Sequence, residues 1–201
     1  MNNIFFTSDT HFCHFNILRF CNRPFNNVEE MNEILIEKWN SVVKKGDRVY
    51  HLGDFGFRAK DNKELITIFN RLNGSKYLII GNHDDETVVK QMNWVYIKEQ
   101  DGLRVASDYV WMNHFPMRSW NRSHYGSFHI YGHVHSKCNI YGKSIDVGCD
   151  AWDYTPVSFD TIKLILDKCP MINPEFDGLF VKGDQELFSG IKLFNTLKEQ
   201  K

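Results

Sequence analysis

Five short apolar runs in this chain each end in residues that can bind a metal ion. Ile4-Phe5-Phe6 leads to Ser8-Asp9-Thr10-His11, and Val49-Tyr50-His51-Leu52 to Gly53-Asp54. Tyr77-Leu78-Ile79-Ile80 leads to Gly81-Asn82-His83-Asp84, Tyr109-Val110-Trp111-Met112 to Asn113-His114, and Phe128-His129-Ile130-Tyr131 to Gly132-His133-Val134-His135. Apolar runs of about 4–8 residues bounded by glycine and polar residues read as buried strands. Ligands at the ends of strands lying side by side converge. Asp9 and His11 are two apart, as are His133 and His135, and the period of a strand points each pair the same way. Two Asp, one Asn and four His are too rich a set for one cation. They suit two cations sharing a carboxylate, as in dinuclear hydrolytic sites.

Composition narrows the setting. A chain of 201 residues fits one domain with a substantial core. The formal net charge of −1 advertises no broad basic surface, so nucleic acid has no support from charge. The cysteines at 13, 21, 138, 149 and 169 form no CxxC pair, which argues for a reducing compartment and against a disulfide framework. No signal-like segment and no stretch of about 20 apolar residues is evident, so the expectation is a soluble cytoplasmic protein without a membrane partner.

Helical periodicity marks Asn27 to Lys44, with apolar residues at Val28, Met31, Leu35 and Trp39 and a capping-box pattern at Asn27 and Glu30. Asp61 to Leu72 repeats the pattern, and a shorter helix is expected near Asp85 to Met92. Pro156 to Asp167 reads as helix, with strand left open for Ile162 to Leu166 because of its β-branched content. The expected fold is α/β, a layered α/β or αβ sandwich of strands flanked by helices with the metal site at the strand carboxyl ends. Residues 1–169 form its domain. Residues 170–201 read as an appendage packed on it, whose apolar periodicity from Gln185 to Leu197 also suits a dimer surface.

The five blocks, in this order, resemble the calcineurin-like metallophosphoesterase superfamily, whose pattern is DxH, GD, GNH[DE], a lone His, then GHxH. The run from Ser8 to Phe25 and the segment Asp150 to Ser158 look like the small, capless bacterial and phage members. The resemblance implies an αβ sandwich of two mixed sheets and one metal held by Asp9, His11 and His135. The other takes Asn82, His114 and His133, and Asp54 bridges them. Manganese is the first expectation, with Fe, Ni, Co and Zn accepted by the same donors. His83 lies outside the ligand pattern and is placed to protonate a leaving oxygen, with Asp84 orienting it. His14, Arg23 and Arg118 are candidate contacts to a substrate phosphate. Trp120 and Tyr125 either stack on a base or pack.

The implied activity is hydrolysis of phosphodiesters, nucleotides or other small diesters, by a hydroxide held between the metals. The preference rests on the missing cap and on a local charge of about +2 from two dications and two carboxylates. The alternatives are a phosphomonoesterase on nucleotides or phosphoproteins, an inert binding module, and a nuclease subunit.

Overall fold

The computed structural model describes residues 2–57, 62–138 and 141–171. The appendage from 172 onward, with its expected Gln185–Leu197 helix, lies outside the described residues. Each of the five apolar runs is a strand. β1 (Ile4–Thr7), β2 (Arg48–His51) and β3 (Ser75–Ile79) pair in parallel, joined at one edge by β4 (Ile97–Lys98) and at the other by antiparallel β9 (Val157–Ser158), in the order β4-β3-β2-β1-β9. The second sheet runs β5 (Gln100–Val105), β6 (Asp108–Asn113), β7 (Phe128–Tyr131), β8 (Ser144–Asp146); β5 is antiparallel and the rest parallel.

Strand alternation divides the core in two. Phe5, Val49 and Leu78 point from the first sheet to α1 (Val28–Val42) and α2 (Lys63–Arg71), packing with Met31, Leu35, Trp39, Leu65 and Phe69. Ile4, Phe6, Tyr50 and Ile79 point the other way, onto Val110, Met112, Phe128, Ile130 and Ile145 of the second sheet. Ile162, Ile165 and Leu166 of a helix at Phe159–Leu166 close that inter-sheet core. The outer face of the second sheet is met by a loop whose Trp120 stacks on His129 at 5.3 Å between ring centroids.

The helix ends follow the sequence. Asn27 accepts from the Glu30 amide at 2.8 Å, while the Glu30 carboxylate takes the amide of Asn26, one residue before the capping-box position. Asn62 precedes the helix expected from Asp61, itself outside the described residues. The open choice at Ile162–Leu166 resolves to helix because Ser158 caps it, accepting from the Thr161 amide, and its apolar stripe faces the core. A helical turn at Ile17–Phe20 has no counterpart in the sequence reading.

Candidate metal centre

In register, Thr7, His51 and Leu78 lie level across the first sheet, and Met112 opposes Ile130 in the second. The loops leaving these strands therefore open on one edge. There they bring together two groups whose ligand atoms lie within 4.8 Å of one another: Asp9, His11 and His135, and Asp54, His114 and His133. The second Oδ of Asp54 stands between them, 3.5 Å from His11 Nε2 and 3.6 Å from His114 Nε2. Asn82 Oδ1 is 3.0 Å from His114 Nε2.

The convergence does not come from strand alternation. β1 stops at Thr7 and β7 at Tyr131, before either ligand pair. Asp9, His11, Asp54, His133 and His135 instead hold positive φ, between 47° and 71°. The left-handed region disfavours residues bearing a Cβ, at a cost of order 1–3 kcal/mol each, and such strain collects at functional sites. Gly53 makes the approach close: a Cβ there would lie 2.6 Å from His114 Nδ1. Gly132 acts through space and not through φ, since its Cβ would meet Asp9 Oδ2 at 2.5 Å.

The imidazoles are oriented from behind. His114 Nδ1 donates to the Leu52 carbonyl at 2.7 Å, and His135 Nδ1 donates to Asp150 Oδ2 at 2.7 Å. His11 Nδ1 meets His14 Nδ1 at 3.2 Å. A tied Nδ1 fixes the tautomer and leaves the Nε2 lone pair for a metal. His11 Nε2 is buried without a hydrogen-bond partner, and His114 Nε2 faces two oxygens, Asn82 Oδ1 at 3.0 Å and Asp54 Oδ2 at 3.6 Å. Lone pairs gathered in this way fit divalent cations.

The electrostatics agree. Burial pushes the Asp9 carboxyl well above its ordinary range and the His11, His114 and His133 imidazoles below theirs. His135 is the exception. Burial is the largest single influence and works to lower it, but the hydrogen bonds to Asp150 and Cys21 and the charges of Asp9 and Asp150 together carry it to about 10. Asp150 in turn lies below its usual range despite burial, held there by His135 and Arg23.

Three expected roles change. Arg23 is no phosphate clamp: its side chain is fully buried against Asp150, at 2.8 Å from Nε. Its other nitrogens donate to the carbonyls of Asp9 at 2.6 Å and Thr10 at 2.9 Å. Asp84 does not orient His83. It accepts the amides of Asp54 at 2.9 Å, Phe55 at 2.9 Å and Gly81 at 2.8 Å, and burial pushes it up to about 7. His14 is buried behind His11 with its ring against Phe57, so it braces a candidate ligand in place of a phosphate. Arg118 stays in an exposed loop, its guanidinium 5.0 Å from the Tyr141 ring centroid. His83 is exposed, its ring 5.3 Å from that of His11, and its amide donates to Asp54 Oδ1 at 2.8 Å. Trp120 packs, donating to the Ser127 carbonyl.

Asp150 was missed as a functional residue. Its signal was the segment Asp150 to Ser158, which carried a resemblance but no assigned chemistry. Cys21 also approaches His135 and Asp150 within 4.8 Å, but Arg23 already neutralises the carboxylate there.

Comparison with known proteins converges on one family. The model of the calcineurin-like phosphoesterases matches residues 3–144. An uncharacterized protein of Methanocaldococcus jannaschii is 37% identical over 175 residues, covering 84% of this chain and 93% of the relative. The gene 66 protein of Mycobacterium phage L5 is 29% identical over 184 residues, 76% of this chain and 88% of the relative. A crystal structure of a protein of unknown function from Aquifex aeolicus shares the fold, with a TM-score of 0.67 at 24% identity over 81% of this chain and 98% of that one.

Proposed function

The chain belongs to the calcineurin-like phosphoesterase family, and from that membership we propose a metal-dependent hydrolase that acts on phosphodiesters with two divalent cations, manganese first among them. One observation carries the two-cation reading. A single oxygen of Asp54 stands at nearly equal distance, 3.5 and 3.6 Å, from an imidazole of each cluster. Asp9, His11 and His135 would hold one cation, Asn82, His114 and His133 the other, with Asp54 shared. Such a pair, when bound, neutralises phosphate charge and lowers the pKa of a coordinated water from ~15.7 towards neutrality.

The chain's own groups do the rest. Leu52, Asp150 and His14 hold the Nδ1 side of three imidazoles, so ligand lone pairs are aimed before substrate arrives. His83 is exposed beside His11 and tethered through its amide to Asp54, placed to give a proton to the leaving oxygen. The diester preference gains support from the altered role of Arg23. A dianionic monoester calls for extra cationic contacts, and with Arg23 buried Arg118 alone is left of the two expected arginines.

Purified protein loaded with Mn²⁺ should carry about two metal ions per chain by elemental analysis, lose activity to EDTA, and turn over bis-p-nitrophenyl phosphate better than p-nitrophenyl phosphate. A monoester preferred by more than about tenfold in kcat/KM, roughly 1.4 kcal/mol, would replace the diester reading. His83→Ala should keep the metals and lose ~10²–10⁴-fold on alkoxide leaving groups, with a smaller loss on nitrophenol, which needs little protonation. Equal losses on both would mean that His83 stabilises charge and donates no proton.

A further inference from the structure

Among the described residues, three exposed aromatic side chains, Phe20, Phe57 and Phe115, lie against histidines of the metal centre, and Phe15 is exposed next to His14 in sequence. Phe15 is 67% exposed, Phe20 56% and Phe57 43%, while the cores beneath them are closed. Open apolar rings at the mouth of a polar site mark a ligand surface more often than a packing defect.

Their geometry is specific. The Phe57 ring lies nearly parallel to that of His14, 4.4 Å away at 15°. His14 lies 5.2 Å from His11 and 6.0 Å from His83. Phe20 stands edge-on to His14 at 6.5 Å, with the exposed Arg19 guanidinium 5.3 Å from its centroid. Two ring-to-ring steps therefore connect the outer face of Phe57 to the centre. At the other cluster Phe115 is open too, but its ring is already met by His133 at 4.6 Å and His114 at 4.9 Å, both tilted or edge-on. Phe57 is the ring placed to continue a parallel stack.

We propose that Phe57, backed by His14 and flanked by Phe20 and Arg19, is the seat of a nucleobase, so that the substrate is a short nucleoside phosphodiester. A planar base extends a stack of parallel rings, and an Arg among aromatic rings suits a ribose–phosphate chain. The formal net charge of −1 sets the length: a long polyanion needs a broad basic track, and a mono- or dinucleotide does not. An acyl or alkyl group would use apolar area with no need of a parallel ring or a guanidinium. The proposal rests on the phosphoesterase reading.

The test compares three diesters on the Mn²⁺-loaded protein: thymidine 5′-(p-nitrophenyl) phosphate, methyl p-nitrophenyl phosphate and octyl p-nitrophenyl phosphate. The nucleoside ester should exceed the methyl ester at least tenfold in kcat/KM, and the octyl ester should not match it. Phe57→Ala should cut that ratio about tenfold, and Phe57→Trp should keep it. A ratio near one in the unaltered protein, or an octyl ester as good as the nucleoside ester, overturns the proposal. A protein that hydrolyses none of the three fails the phosphoesterase reading instead. The base seat is then decided without metal, by saturation-transfer NMR with adenosine 5′-monophosphate. Saturation of the base protons, lost in Phe57→Ala, supports the seat; no saturation in the unaltered protein overturns it.

Discussion

The two ligand clusters are alike in donors and unlike in what holds them. The Asp9–His11–His135 cluster is braced by side chains. Arg23 binds Asp150 and the carbonyls of Asp9 and Thr10, Cys149 Sγ also donates to the Asp9 carbonyl, and Asp150 grips His135. The Asp54–His114–His133 cluster is braced through main-chain groups, with one carboxylate gathering them. The Leu52 carbonyl fixes His114, and the Asp84 carboxylate collects the amides of Asp54, Phe55 and Gly81. The main-chain groups of the second brace are set in place when the strands pair, although Leu52 and His114 lie 62 residues apart. A brace of buried ions fails when one partner is removed. The first cluster should therefore be the more fragile half of the centre.

Asp54 belongs to both halves, and its loss should be the largest effect. Asp54→Asn keeps the shape but weakens the one oxygen between the clusters, so activity should fall at least ~10³-fold, about 4 kcal/mol, with both metals bound more weakly. A variant that retains both metals by elemental analysis and a tenth of the activity would end the bridging role and leave two independent clusters.

Arg23→Met should separate the halves. It leaves Asp150 nearly buried with His135 as its remaining charged partner, and breaking a buried pair in this way costs about 3 kcal/mol. Urea melts should show that loss. Calorimetric titration with Mn²⁺ should show one site weakened ~10–100-fold, the usual consequence of losing support behind a ligand, and the other nearly unchanged. Equal weakening of both sites would dissolve the distinction between side-chain and backbone bracing.

The same contrast explains what the sequence could disclose. The strands were legible because five apolar runs end in polar residues, and the candidate ligands were legible because each follows such a run directly. The left-handed backbone at Asp9 and His11 was not, since neither is a glycine and nothing local distinguishes them from a strand continued. The buried job of Arg23 was hidden for a different reason: its partner Asp150 lies 127 residues away. An arginine before a proline looks the same whether it faces solvent or a carboxylate. Asp84 was legible as important but not as a collector of amides, because two of its three partners, Asp54 and Phe55, become neighbours only when β2 and β3 pair.

The smallest effect concerns the two histidines beneath the clusters. His51 supports the first through a 2.9 Å hydrogen bond between Nε2 and the Thr10 hydroxyl, and His129 supports the loop after the second by accepting the Met117 amide at 3.1 Å. Burial lowers His51 to about 3 and His129 to about 4, from the ordinary 6.5. Both are neutral in the folded protein and take up protons only on unfolding once the pH drops below about 6.5. The unfolded chain then binds more protons, so stability is fully present above 6.5 and declines as the pH falls towards 4 for His129 and 3 for His51. Each contributes up to about 1.4 kcal/mol per pH unit in that window. In EDTA, urea melts at pH 7 and 5.5 should show the decline, and His129→Gln should remove about one proton from the slope, as should His51→Gln. If the slope is unchanged in both variants, the pH dependence belongs to the ligand imidazoles, and the two props carry no difference between the halves.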